Sequence, residues 1–240
     1  MSSTSLTSPS PTAHQPTRHP NETVVETIEA IHDTAARAEA ARAVLEQGAF
    51  SFSPSTLIHR VISAGYPANM RHQGWIAYIV GFAEQPFGAD FSIFGTRNIE
   101  WAISCIPQAY REVAYAYYAF ALLTQHPPLL DPLTKLTECM RHVTSVALRK
   151  KISTGIEIWI RSFQQSTLRP DHATVQKVFR HLIPGPYTSR AATAYAILQL
   201  HTDPSPANPI INNYCWPRMN SEDQAWFRAF IQPFPMNCAR

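Results

Sequence analysis

Glycine and charge are both scarce in this chain. Eight glycines stand against twenty prolines, and none of the glycines falls in G-x-G-x-x-G, G-x-S-x-G or G-x-x-x-x-G-K-[ST]. A glycine loop that cradles phosphate and a strained nucleophile turn are therefore both unsupported. Only 15% of the 240 residues are Asp, Glu, Lys or Arg, and the carboxylates Glu100, Glu112, Glu138 and Glu157 have no partner suggested by spacing. Paired acid/base chemistry is not encoded, and no enzyme is expected. The four cysteines, Cys105, Cys139, Cys215 and Cys238, lie far apart without C-x-x-C spacing. With no apolar segment among the first 20 residues, they predict a reducing, cytosolic setting. Ten histidines occur, yet none in H-x-x-x-H or H-E-x-x-H; Cys139 with His142 is the nearest approach to a ligand pair. No metal and no cofactor is expected. No run approaches the roughly 20 apolar residues that cross a bilayer. The most apolar window, 101–123, is broken by Pro107, Arg111 and Glu112, so no membrane partner is expected.

Strand signals are missing as well: there is no Asn-Gly hairpin, no sustained alternation and no fixed repeat. Helical spacing is abundant. Residues 1–20, rich in Ser, Thr and Pro, cannot offset their ordering entropy and are read as a disordered tail. Thr23 with Glu26 forms a capping box, and behind it Val24, Ile28, Ile31, Ala35, Ala38 and Leu45 recur at alternating spacings of four and three. This predicts one helix over 21–47 with a narrow apolar stripe, suited to docking in a groove. Further helices are predicted over 53–65, 70–84, 97–106 and 108–125. Another carries Leu133, Leu136, Met140, Val143 and Ala147 and runs into Arg149, Lys150 and Lys151, which would then occupy its last turn. Candidates at 156–165, 172–183, 189–201 and 221–231 complete an all-α chain.

The net charge of +3 conceals an asymmetry. Residues 21–47 hold six acids against two arginines, a net of −4, whereas residues 139–200 hold nine bases against two acids, a net of +7. Cations at a helix C-terminus can merely complement the macrodipole. Nine of them in a stretch nearly devoid of acids instead predict a polyanionic partner, because solvated surfaces usually mix signs. Arg141, Arg149, Lys150, Lys151, Arg161, Lys177, Arg180 and Arg190 are the candidate phosphate contacts. Single-stranded nucleic acid also requires rings on which bases stack; the segment Gly81–Gly95, with four Phe on a Gly- and Pro-containing loop, is the candidate, against anchoring of that loop in the core.

A polar tail, an N-terminal helix with an adhesive stripe and a basic helical remainder resemble the nucleoproteins of phenuivirus and tenuivirus type, from negative-strand RNA viruses. The local matches are "EQGAFSFSPSTLIHRVISAG", with Gln47, Gly48, Phe50, Phe52, Leu57, Ile58, Val61 and Gly65, then "RAATAYAILQLHTDP" and "NNYCWPRMNSEDQAWFRAFI". The resemblance implies an arm helix (21–47) followed by a compact two-lobed body, 48–130 and 131–240, with a basic cleft. It implies single-stranded RNA in that cleft, homo-oligomers formed when the arm stripe docks on a neighbouring subunit, a viral polymerase as a further partner, and residence in virions and host cytoplasm. Where that family carries a basic stretch this chain has "AEQPFGADF", which leaves Arg71 and Arg97 as the nearest substitutes. The segments "LTECMRHVTSVALRKKI" and "SRAATAYAIL" also resemble the RNA-enclosing part of flexuous filamentous virus coat proteins. A reading from another class is a helical adaptor whose basic surface binds an acidic protein.

Overall fold

A computed structural model describes residues 20–47, 55–85, 93–205 and 207–231; the side chains of 20–22 and 93–95 are outside the description. Every regular element among the described residues is helical, as the all-α reading expected. The tail at 1–19 and the Ser53-Pro54 helix start lie outside the described residues, as do Phe87, Phe91 and the side chain of Phe94.

The single helix expected over 21–47 is two helices, α1 (Pro20–Glu29) and α2 (Thr34–Glu46). Asp33 explains the break: its backbone is extended and its side chain accepts from the Ala36 N–H, so it caps a new helix. The Arg37 guanidinium reinforces the corner by donating to the carbonyls of Ile31 and His32. Within the apolar stripe, Ile28 and Leu45 are buried in this chain's own core, Val24 and Ala38 pack against it, Ile31 is half-buried and Ala35 is exposed. Both helices lie on α3 (Ser55–Gly65), and α2 also packs along α4 (Arg71–Ala83). Two glycines permit that approach. A Cβ on Gly81 would meet the Leu45 carbonyl oxygen at 2.1 Å, and one on Gly65 would meet Ala41 Cβ at 2.2 Å.

After α5 (Ile93–Ser104) comes α6 (Arg111–Thr124), whose Ala114, Ala116, Ala119 and Ala121 are all fully buried. The Gly81–Gly95 segment expected as a loop is helical at both ends, and Phe82 is a core residue of α4. Next are α7 (Leu133–Met140), α8 (Val146–Ser162), α9 (His172–Phe179), α10 (Pro186–Thr202) and α11 (Ser221–Ile231). Before α11 come a π-helical turn at Ile211–Cys215 and a 3-10 turn at Trp216–Arg218. Among the described residues the most extensive helix pairing is that of α6 with α8, and the buried side chains form one cluster from Val25 to Phe227.

Two boundaries differ instructively. One helix was expected to end at Lys151 and the next to begin at 156, yet α8 passes straight through Gly155 between them; a Cβ there would sit 3.1 Å from a Phe120 ring carbon and 3.2 Å from Leu123 Cδ1. The missing side chain allows α6 and α8 to touch. Conversely, the helix expected to run continuously from 133 to 151 breaks at 141–145. Glu112 of α6 takes up the exposed backbone donors there: its Oε1 accepts from the N–H groups of Thr144 and Ser145, each at 2.5 Å, and from Thr144 Oγ1 at 2.9 Å. Arg149, Lys150 and Lys151 therefore open the second turn of a helix instead of closing its last. The last turn of α8 holds Arg161. Dipole complementarity does not account for the triplet.

Candidate nucleic-acid interface

Two short helices, α7 and α9, frame a surface groove. Each is fixed at its start by an aspartate: Asp131 Oδ1 accepts from the Leu133 N–H at 2.9 Å, and Asp171 accepts from both the N–H and the hydroxyl of Thr174, at 2.8 and 2.7 Å. Those hydrogen bonds hold the Asp171 carboxyl below the usual aspartate range, so it stays charged at the positive end of α9. The groove has a volume of about 790 Å³ and is lined by Leu133, Thr134, Thr137, Glu138 and Arg141 on one side and Lys177, Arg180 and His181 on the other.

Three of its side chains are exposed cations, Arg141, Lys177 and Arg180, and none forms an ion pair among the described residues. Its one carboxylate, Glu138, lies 3.4 Å from Lys135, which also binds Glu100 at 2.7 Å, so that negative charge is already engaged. At the back, His181 Nε2 is 3.5 Å from Thr137 Oγ1. Burial, and then the Arg149 charge, push the His181 imidazole below its ordinary value, which keeps the ring neutral near pH 7. Arg149 itself folds back over the 141–145 turn, its Nε donating to the Val143 carbonyl at 3.0 Å. It adds a fourth positive charge to this side of the molecule.

A smaller recess of about 340 Å³ adjoins the groove and shares Arg180 with it; Gln176, Phe179, Tyr214 and Arg218 form the rest of its wall. The Arg218 guanidinium lies 3.8 Å from the Tyr214 ring centroid and donates to the Tyr214 carbonyl at 2.7 Å. Sequence reasoning missed Arg218, Gln176 and His181. The signal for Arg218 was the four-residue spacing from Tyr214 inside "NNYCWPRMN", hidden because Pro217 argues against a helix.

The remaining predicted contacts are dispersed. Lys151 is bound within the fold: its ammonium meets Glu84 Oε1 at 2.6 Å and lies 4.3 and 4.4 Å from the Tyr117 and Phe120 ring centroids. Arg161 and Arg190 converge on one carboxylate, Glu157, at 2.8 and 3.3 Å. Lys150 is exposed. Arg71 and Arg97 sit on α4 and α5 and line neither recess; the Arg71 Nε is buried without a hydrogen-bond partner among the described residues. Cys139 and His142 face different surroundings: the Cys139 thiol is buried and pushed up to about 12, while exposed His142 stacks on Tyr115 at 4.0 Å. Among the described residues no three His, Cys, Asp or Glu side chains cluster as a metal site, and no helix is long and apolar enough to cross a membrane.

Comparison with protein-family models, with curated proteins and with solved structures returns no match to this chain.

Proposed function

We propose that this protein binds single-stranded RNA through its phosphates, without sequence preference, along the groove between α7 and α9. On this reading it is an RNA-packaging nucleocapsid or coat protein, found in virions and host cytoplasm and working beside a viral polymerase. The observation that carries the proposal is the convergence of Arg141, Lys177 and Arg180 on one groove whose lining holds a single carboxylate, Glu138, so that three cations face one acid that is itself paired with Lys135. Cations without internal partners remain available to an external polyanion, and their spread along an open trough suits a chain of phosphates better than one compact ligand. Self-association through α1 and α2 completes the proposal. Those two helices precede the rest in sequence and pack on α3 and α4, so the same glycine-lined seat on a neighbouring subunit could receive them.

The test is the salt dependence of binding. On single strands log K falls with log salt at about −0.7 per phosphate neutralised, so three cations give a slope near −2 and each Ala substitution at 141, 177 or 180 should flatten it by about 0.7. Arg161→Ala and Arg190→Ala serve as controls that leave the slope alone, because Glu157 already engages both side chains. Equal slopes in all five variants would refute the assignment. Material purified without nuclease should absorb more strongly at 260 than at 280 nm; a clean protein spectrum would favour an acidic protein as the partner.

A further inference from the structure

We infer that the recess beside Arg180 receives one nucleobase of the bound strand, its ring stacked on the Arg218 guanidinium and a ring N–H donated to the Gln176 carbonyl oxygen. This rests on strand binding in the adjoining groove and assigns a second, chemically distinct subsite to it.

The wall of the recess supplies the three things a base requires. The first is a flat face. Arg218 already lies over Tyr214 at 3.8 Å, so the ring supports one side of the guanidinium plane and the other side is available. Bases stack on guanidinium planes as readily as on aromatic rings, and the hydrogen bond to the Tyr214 carbonyl keeps that plane in place. The second is an edge reader. Gln176 Nε2 lies 2.8 Å from His172 Nε2, while His172 Nδ1 lies 3.1 Å from the Tyr195 hydroxyl. A neutral imidazole with its proton on Nδ1 donates to Tyr195 and accepts from the Gln176 amide nitrogen. Burial, then Arg218, lower the His172 pKa and so favour that neutral form. The amide is thereby oriented by the network, and its carbonyl oxygen, which has no partner among the described residues, is what it presents to a ligand. The third is a link to the strand: Arg180 belongs to both recesses, so a phosphate held by Arg180 places its own base at the mouth of the smaller one.

The volume of about 340 Å³ accommodates a single base. A ring N–H donor is carried by uracil and guanine. Adenine and cytosine present a lone pair at the equivalent ring nitrogen.

The experiment uses the full chain and calorimetric titration with uridine 5′-monophosphate, 3-methyluridine 5′-monophosphate and inorganic phosphate. Uridine monophosphate should bind about tenfold tighter than phosphate, one stacking interaction's worth. Methylation of N3 should remove roughly two- to tenfold of that, the net value of one hydrogen bond. Arg218→Lys, at an exposed position, retains the charge and loses the plane; it should bring the two ligands to similar affinity while leaving phosphate binding unchanged. A short oligouridylate that binds tighter than polyphosphate of similar charge assigns the subsite to the strand; equal binding there, with the monophosphate preference intact, assigns it to a free nucleotide and overturns the strand form. Equal affinity of uridine monophosphate and phosphate in the wild type overturns the base subsite while leaving the phosphate groove standing. Failure of every phosphate-bearing ligand to bind overturns both.

Discussion

Replacing Gly81 by alanine pits two effects of opposite sign against each other. Alanine in a helix interior is favoured over glycine by roughly 0.5–1 kcal/mol, and Gly81 lies in α4 only two residues before its end, so the gain is at the lower figure. Against it, the new Cβ would stand 2.1 Å from the Leu45 carbonyl oxygen, 2.8 Å from Glu46 Cα and 2.9 Å from Glu46 C. All three are backbone atoms of α2, so no rotamer change relieves the clash; the end of α2 must retreat by about 1 Å to restore normal contact distances. Overpacking of this kind costs about 1–3 kcal/mol, and the retreat also loosens Leu45, which is fully buried. The expected net effect is a destabilisation of about 1–2 kcal/mol, read in urea as a midpoint lowered by about 0.5–1 M at unchanged slope. Gly65→Ala should behave similarly through Ala41 Cβ at 2.2 Å. There a double-mutant cycle tests the cause: Ala41→Gly alone should cost about 1 kcal/mol through helix propensity, and in the Gly65→Ala background it should cost clearly less, because it removes the opposing atom. A midpoint that stays level or rises in Gly81→Ala would mean that α2 is not seated on α4 in the folded chain, and the placement of the N-terminal segment would have to be abandoned.

Two further substitutions follow from the site. Glu112→Ala removes the acceptor of three hydrogen bonds at the start of α8 and should cost about 1 kcal/mol, as loss of a helix cap does. Because those bonds lower the Glu112 pKa below its ordinary value of 4.5, its contribution is complete above that value and is lost as pH falls through the lower folded-state value. An acid titration of the variant should therefore be flatter below pH 4.5 than that of the wild type, and parallel curves would exclude the cap. Lys151→Ala breaks the Glu84 pair and two ring contacts; it should lower stability by about 1 kcal/mol and leave the salt slope of RNA binding unchanged, whereas a flatter slope with full stability would make Lys151 a phosphate contact after all.

How much of this was legible in the sequence varies with the kind of signal. Helix existence was well marked, because apolar spacing such as Leu57, Ile58, Val61 and Ile62 describes one face wherever that face is buried. Glycine was misjudged at 155, where its role is to let two helices approach; spacing along one helix does not report what lies across from it. The break at 141–145 was invisible for a similar reason. Leu133, Leu136, Met140, Val143 and Ala147 keep helical period across it, and the group that stabilises the break, Glu112, is about thirty residues away in the chain. The stripe from Val24 to Leu45 continues through the Asp33 corner in the same way, although Asp33 ahead of Thr34, Ala35 and Ala36 was a readable cap. Charge was informative as a total and uninformative as a list. Of the eight cations read between 139 and 200, three line one groove, Arg149 stands beside it, Arg161 and Arg190 share Glu157, Lys151 is bound to Glu84 and Lys150 stands apart. Sequence gives each its sign; only the fold gives each its partner.

The break at 141–145 also explains why the groove exists. A continuous helix from 133 to 151 would rise 1.5 Å per residue and carry Arg149 about 12 Å along the axis from Arg141, leaving the cations strung along one rod. The turn instead lets α7 stop beside α9 and sends the Arg149 side chain back to the Val143 carbonyl, where its charge reaches His181. The arrangement has an electrostatic cost, since cations gather near the positive pole of α8, and the Glu112 carboxylate offsets it from a neighbouring helix. Neutral His181 at the back of the groove then has a consequence for the proposed ligand. A phosphate drawn in by Arg141, Lys177 and Arg180 would raise the His181 pKa, so binding would take up a proton and tighten as pH falls through the range in which the bound imidazole titrates. The sign follows from linkage alone. Affinity for a phosphate strand that is the same on both sides of that range would remove His181 from the interface.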